Sequence, residues 1–260
     1  MNHLSKYAVV LAAGKGTRMK SELPKVLMEV AHKPMILHVL DNLIPLNLEQ
    51  IVIVVGYKKE LVIDKVNQYI ASNYDNYKNK IFFVEQKEQL GTGHAFLMTE
   101  SLLGNKEGYI LVTAGDMPLL QTQSFSKLFD LVIEKNLPGG VLGSRLENPT
   151  GYGRLVRNEQ NLLERIIEEK DATDEIKKIK EVNTGCYVFK LPEIFAILKE
   201  IKNNNNQNEY YLPDVVEIYR KKNQNFGDFI LNDYRESLGA NTKEELENLN
   251  HIYNLLFTAK

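Results

Sequence analysis

The sequence predicts an α/β protein: a Rossmann-like, mostly parallel sheet with helices on both faces, plus a small antiparallel lobe. Three observations predict it. Short uninterrupted apolar runs, such as Tyr7-Ala8-Val9-Val10-Leu11 and Tyr109-Ile110-Leu111-Val112-Thr113, have the character of strands buried on both faces. Segments with apolar residues at helical spacing alternate with them. Glycine-containing loops follow the runs at Gly14, Gly56 and Gly115. Alternating strands and helices build a parallel sheet, and right-handed crossovers bring its strand C-termini to one edge, where ligands bind.

Tyr7 to Leu11 is the first strand. Pro34 to Leu46 reads as a helix, with Met35, Ile36, Val39, Leu40 and Leu43 at helical spacing. Gln50 to Val55 is the second strand. Lys59 to Tyr69 is a helix with Leu61, Val62, Val66 and Tyr69 on one side. Ile81 to Val84 is the third strand, Gly93 to Leu103 a helix, and Tyr109 to Thr113 the fourth strand. From about Gly139 the pattern changes. Gly140 to Arg145, Arg154 to Arg157 and Val182 to Phe189 look antiparallel, as a substrate lobe or an extension of the same sheet. Asn203 to Asn208 reads as a mobile loop. Thr242 to Phe257 is a final helix, with Thr242 and Glu245 as a capping box.

Of 260 residues, 43% are apolar and 25% charged, an ordinary globular balance. A formal net charge of -2, with lysines interleaved among acids, argues against a nucleic-acid partner. No apolar run approaches the ~20 residues of a membrane span, so no membrane partner is expected. No signal-peptide pattern opens the chain, which makes a cytoplasmic location the expectation. The single cysteine, Cys186, sits in an alternating run and reads as a buried structural thiol.

Three loops fall on the ligand edge. In Leu11-Ala12-Ala13-Gly14-Lys15-Gly16-Thr17-Arg18-Met19, small residues let the backbone approach a phosphate, and Lys15, Arg18 and Lys25 add positive charge. A Walker A loop is absent. A dinucleotide fingerprint fails because Met19 stands at its third glycine and no acid ends the second strand. A nucleotidyltransferase loop and a plain turn with surface cations remain. In Gln86 to Ala95, the Gln amides suit a base edge, and His94 reads as an acid/base group or as an ordinary helix start. In Ala114-Gly115-Asp116, the carboxylate directly after a buried strand suits Mg2+ between phosphates, or a turn cap.

These loops, with Gly151-Tyr152-Gly153-Arg154, Ile166 to Ala172, Glu181-Val182-Asn183-Thr184-Gly185 and Asn208 to Asp214, resemble one family in order and spacing. It is the uridyltransferase domain of bifunctional N-acetylglucosamine-1-phosphate uridyltransferase/glucosamine-1-phosphate acetyltransferases, within the sugar nucleotidyltransferases. The resemblance runs from about Tyr7 to the final helix. It implies that Leu11, Ala12, Ala13, Gly14, Lys25, Gln86, Gly91, Thr92 and Gly115 bind the nucleotide. Gly153, Glu168 and Asn183 would contact the acetylated sugar, and Asp116 and Asn241 would hold Mg2+. Arg18, Lys25 and Asp116 would carry catalysis of uridylyl transfer from UTP to N-acetylglucosamine 1-phosphate. Glucose or GalNAc 1-phosphate as substrate, and a non-catalytic nucleotide-sugar sensor, are the alternatives.

Two residues depart from the family's pattern. Ala114 replaces a frequent Tyr, and Pro213 replaces a usual Thr near the sugar phosphate. The expected organisation is a nucleotidyltransferase domain over 1–238, with a nucleotide-binding part at 1–138 and a sugar-binding part at 139–238. Residues 239–260 would form the start of the family's linker. The family's left-handed β-helix is not seen up to Lys260, so no acetyltransferase activity is expected. That domain organises the family's trimer, so a monomer or weak oligomer is expected.

Overall fold

β1 (Lys6–Ala12) is the axis of the molecule, paired in parallel on both sides and buried on both faces. The structure, a computed structural model, describes residues 4–16, 19 and 21–257. After β1 come the ribbon β2 (Glu29–Val30) and β3 (Lys33–Pro34), α1 (Met35–Leu43), β4 (Gln50–Val55), α2 (Lys59–Asn73) and β5 (Ile81–Glu85). Next are α3 (Thr92–Leu97), α4 (Glu100–Leu103), β6 (Gly108–Ala114), α5 (Thr122–Glu134) and β7 (Gly139–Arg145). The chain continues through β8 (Arg154–Arg157), β9 (Leu163–Ile167), α6 (Asp174–Lys177), β10 (Glu181–Leu191) and α7 (Ile194–Leu198). It closes with α8 (Val215–Lys221), β11 (Gly227–Ile230) and α9 (Lys243–Phe257).

The main sheet runs β11-β7-β10-β6-β1-β4-β5, with the β8–β9 hairpin attached through β8 to β10. β1 is parallel to β4 and β6, β4 to β5, and β7 to β11. β10 is antiparallel to both β6 and β7. One strand is therefore reversed in an otherwise co-directional sheet. Its start lies on the same edge as the ends of β1, β5 and β6. Of the two readings of the stretch after Gly139, the structure shows an extension of the sheet: β7 and β10 join it, and the β8–β9 hairpin is appended through β10.

Alternate residues of each strand feed two cores. Ala8, Val10, Ile51, Ile53 and Leu111 face α1, α2 and α5 through Ile36, Leu40, Val62, Val66, Phe125 and Phe129. Tyr7, Val9, Val52, Val54, Ile110 and Val112 face α3, α7 and α8 through Phe96, Phe195, Leu198, Val215 and Tyr219. α5, absent from the expected rhythm, buries Phe125, Leu128, Phe129 and Val132 at spacings of three and four. The helix expected over Gly93 to Leu103 is split into α3 and α4. At the break, the Thr99 hydroxyl donates to the Phe96 carbonyl at 2.8 Å instead of leaving it to the helix ladder.

The Asn203 to Asn208 loop, expected to be mobile, is tied down. Asn205 Oδ1 accepts from the N–H groups of Gln207 (3.2 Å) and Glu209 (3.1 Å). Asn206 donates to Lys170 O (2.8 Å) and Asp171 Oδ1 (3.0 Å). Asparagine side chains here replace the backbone bonds that regular structure would supply. α9 forms a third, smaller core, where Leu249 packs with Val30, Met35, Leu119 and Ala240. No helix among the described residues is long and apolar enough to cross a membrane.

Candidate active site

The end of β1 is fixed from two sides. Leu11 O accepts from the Gly115 N–H at 2.9 Å, which sets the β6 loop beside the β1 loop. Ala13 O accepts from Tyr57 N–H (3.2 Å) and from the Gln89 amide (2.9 Å). The small side chains of Ala12 and Ala13 are buried, so this stretch presents backbone to the cavity. Gly115 is buried behind that wall, where an added Cβ would lie 3.1 Å from Val26 Cγ1. It shapes the loop without lining the cavity.

Three remote side chains meet beyond β6. Lys25 Nζ lies 2.5 Å from Asp116 Oδ2 and 2.7 Å from Asn241 Oδ1. Lys25 starts a 3-10 turn, Lys25–Leu27, directly after Pro24, whose φ of -52° fixes the backbone direction. Asn241 is held by Glu245, whose Oε2 accepts the Asn241 N–H at 2.6 Å, while the Glu245 N–H donates to Thr242 Oγ1 at 3.1 Å. The capping box is therefore present with its reach extended by one residue, from Thr242 to Asn241.

Asp116 and Asn241 thus present a carboxylate and an amide oxygen to one ammonium. Among the described residues no group of three or more His, Cys, Asp and Glu is placed to hold a metal. A divalent ion here would take two protein oxygens and complete its shell with phosphate and water. That economy suits Mg2+, and the residues fit it.

On the β5 side, Gln86 is almost fully buried. Its Nε2 donates to Gly91 O at 3.0 Å and lies 3.0 Å from His94 Nδ1, which therefore accepts. His94 thus orients the Gln86 amide, and it does not line the cavity. Gly91 has φ +107°, and an added Cβ would fall 2.6 Å from Tyr210 O. Only glycine allows this backbone contact, which Tyr210 N–H to Leu90 O and Gly93 N–H to Tyr210 O, both 2.8 Å, then lock. The Thr92 hydroxyl accepts from the Leu212 N–H at 3.0 Å, bringing Pro213 to the cavity wall.

The opposite wall comes from β8, β9 and β10. β10 carries a bulge between Asn183 and Tyr187, with Gly185 at φ +78°. The bulge turns Asn183 to the cavity, where its Oδ1 accepts from Gly185 N–H at 2.9 Å. Asn183 N–H donates to Gly153 O at 2.9 Å. Glu168, at the end of β9, stands over Gly153, where an added Cβ would lie 2.9 Å from its Oε1. Burial, with the Asp214 and Asp171 carboxylates adding to it, pushes Glu168 up to about 7. Burial likewise pushes Asp214 up to about 6. Beneath this wall the fully buried Arg154 donates to Glu169 Oε2 at 2.7 Å and to the Tyr152 carbonyl.

Together these walls enclose a cavity of about 700 Å³. The structure brings to it Leu11, Ala12, Ala13, Gly14, Lys25, Gln86, Gly91, Thr92, Asp116, Gly153, Glu168, Asn183 and Asn241. Arg18 lies outside the described residues. Tyr152, Glu209 and Glu245 also line the cavity and were not assigned to a site by the sequence; Gln89, whose amide the sequence offered to a base edge, lines it too. Gln89 sits in the same Gly-rich loop as Gln86, and Glu245 reads locally as a helix cap.

Fold and site together define the class. The nucleotidyl transferase family matches residues 7–242, and the chain belongs to it. Among curated proteins, the chain is 44% identical over 239 residues to the bifunctional protein GlmU of Oceanobacillus iheyensis, covering 92% of this chain and 50% of that one. It is 45% identical over 243 residues to the bifunctional protein GlmU of Streptococcus sanguinis, covering 94% and 50%. The chain spans about half the length of the curated relatives it matches. Among solved structures, a UDP-glucose pyrophosphorylase complexed with UDP-glucose superposes with TM-score 0.75 at 22% identity, over 98% of this chain and 100% of that one. A putative glucose-1-phosphate thymidylyltransferase from Bacillus anthracis, in complex with a sucrose, gives 0.74 at 19%, covering 95% of each chain. At these identities the likeness shows the fold.

Proposed function

We propose that the chain is a UTP-dependent uridylyltransferase that makes UDP-N-acetylglucosamine and pyrophosphate from UTP and N-acetylglucosamine 1-phosphate. One observation supports this reading: the Lys25–Asp116–Asn241 cluster, the Leu11 to Gly14 stretch and the Glu168–Asn183 pair all line one cavity. The Leu11 to Gly14 loop with Gln86, Gly91 and Thr92 takes the nucleotide. Gly153, Glu168 and Asn183 take the sugar. Similarity to GlmU proteins over the matched half supports the same assignment.

A phosphate oxygen of the sugar 1-phosphate attacks the α-phosphorus of UTP in line. One P–O bond forms there as the bond to the bridging oxygen of the β-phosphate breaks, and pyrophosphate leaves. The nucleophile is already an anion, so no general base is needed. This agrees with a His94 turned onto Gln86 and away from the cavity. Catalysis is then positioning and charge neutralisation, with Arg18 and Lys25 on the phosphates. Asp116 and Asn241 would hold Mg2+, which would supply further neutralisation of the triphosphate. Glu168, its carboxyl pushed up to about 7 by burial and the neighbouring Asp214 and Asp171, resists ionisation on the wall assigned to the sugar.

The test is pyrophosphate release from the purified protein, with a panel of nucleoside triphosphates and sugar 1-phosphates, with and without Mg2+. Release is expected from UTP with N-acetylglucosamine 1-phosphate, and only with the metal. Glucose and GalNAc 1-phosphates belong in the panel because Pro213, without a hydroxyl, lines the cavity. Measurable UDP-sugar binding with no pyrophosphate from any pair would assign the chain as a sensor instead.

A further inference from the structure

We propose that the Lys25 ammonium is the resident cation of the metal cradle, exchanged for the divalent ion when the nucleotide arrives. This inference rests on the assignment of Asp116 and Asn241 as metal ligands. Lys25 Nζ lies 2.5 Å from Asp116 Oδ2 and 2.7 Å from Asn241 Oδ1, the same two oxygens a metal would use. Mg2+ sits about 2.0–2.1 Å from its ligand oxygens. A divalent ion on these atoms and an ammonium in hydrogen-bond contact with both would be like charges within a few ångströms, on partly buried side chains. Their repulsion makes occupancy exclusive.

Three consequences follow from exclusive occupancy. First, the nucleotide-free protein has its Asp116 charge already matched and gains little by taking up a metal ion alone. Secondly, a triphosphate changes that balance, because it offers the ammonium another anion and the metal additional oxygens. Thirdly, Lys25 delivers its charge to the phosphates at the moment the metal takes Asp116. The two cations are thereby loaded in a coupled step. Lys25 is built for such a move. Its backbone is fixed behind Pro24, while its charge rides on a flexible four-carbon stem. The stem lines the same cavity as the Leu11 to Gly14 loop.

Mn2+ replaces Mg2+ as the probe, and its free signal in electron paramagnetic resonance reports binding without any turnover. In the absence of nucleotide, Lys25→Met and Lys25→Gln are expected to bind Mn2+ about tenfold or more tighter than the unsubstituted protein. Lys25→Arg keeps the charge and retains the weak binding. Lys58→Met, which removes a cation paired with Glu22 outside the cradle, leaves binding unchanged. Mn2+ alone should also raise the melting temperature of Lys25→Met in a concentration-dependent way, and leave that of the unsubstituted protein nearly flat. Equal nucleotide-free Mn2+ affinity with and without the Lys25 ammonium overturns the proposal. A UTP arm separates the two levels. Tight Mn2+ binding with UTP that Asp116→Asn abolishes keeps the metal assignment even if the resident cation falls. Unchanged Mn2+ binding with UTP in Asp116→Asn overturns the metal assignment itself.

Discussion

At the scale of single residues, Glu168 carries the largest consequence for pH. Its carboxyl stands at about 7 because it is buried and faces Asp214 and Asp171, against an ordinary value near 4.5. The folded state therefore keeps a proton that the unfolded chain releases. Below the unfolded value both states are protonated and the residue is neutral to stability. As pH rises through about 4.5 to 7, the folded protein loses stability relative to a variant that cannot ionise. Glu168→Gln is such a variant and preserves the shape. It is expected to match the unsubstituted protein at pH 4.5 and to exceed it at pH 8 by about 1–3 kcal/mol, the upper end being the full shift and the lower end discounting solvent at the cavity. Urea denaturation at the two pH values reads this directly. A stability difference independent of pH would remove the buried-proton account of Glu168. The same variant should flatten the pH dependence of KM for the sugar phosphate between pH 6 and 8, because the amide imitates the neutral acid at every pH.

Among the elements, α9 matters most to the site, because Asn241 enters the cavity from the turn that starts it. The helix docks through Leu249, 1% exposed, onto Val30, Met35 and Leu119. This core is small and separate from the two that cover the sheet, so α9 should open without the sheet opening. Leu249→Ala removes the central contact. A Leu-to-Ala change in a packed core costs about 2–5 kcal/mol, enough to exceed the stability of a locally opening helix. Faster hydrogen exchange is expected throughout α9, with protection in β1, β4 and β6 unchanged. The metal requirement of pyrophosphate release should rise in parallel, because Asn241 loses its anchor. Exchange that accelerates equally in α9 and β1 would mean that the three cores unfold as one. Thr242 with Glu245 fixes the first turn of this helix, beside the Asn241 that the proposed function assigns to the metal.

For the whole molecule, what the sequence disclosed depended on the range of the interaction. β1, β4 and β6 are written in contiguous apolar runs, and their Gly-containing ends announce the ligand edge. The meeting of Lys25 with Asn241, 216 residues apart, has no local trace; the family resemblance put the two in one site separately, Lys25 on the phosphates and Asn241 on the metal. Gly115 and His94 are instructive in the opposite direction. Both stand beside the ligand edge, yet Gly115 packs against Val26 and His94, in the first turn of α3, turns to Gln86. Local pattern located the loops, and packing decided which side chains reach the cavity. Cys186 offers a probe of that packing across the full sheet. It lies on β10, fully buried in the core formed by the sheet and α5. Burial pushes its thiol well above the ordinary range, so the native protein offers a labelling reagent neither access nor thiolate. Reaction then requires the central strands to part, and its rate reports the open population. For a domain of ordinary stability, alkylation of the native protein should be at least about 10³-fold slower than in denaturing urea. Its urea dependence should follow that of global unfolding. Leu249→Ala should leave the rate nearly unchanged while α9 exchanges freely, whereas labelling that accelerates along with α9 would show that the sheet and its C-terminal helix hold together as one cooperative unit.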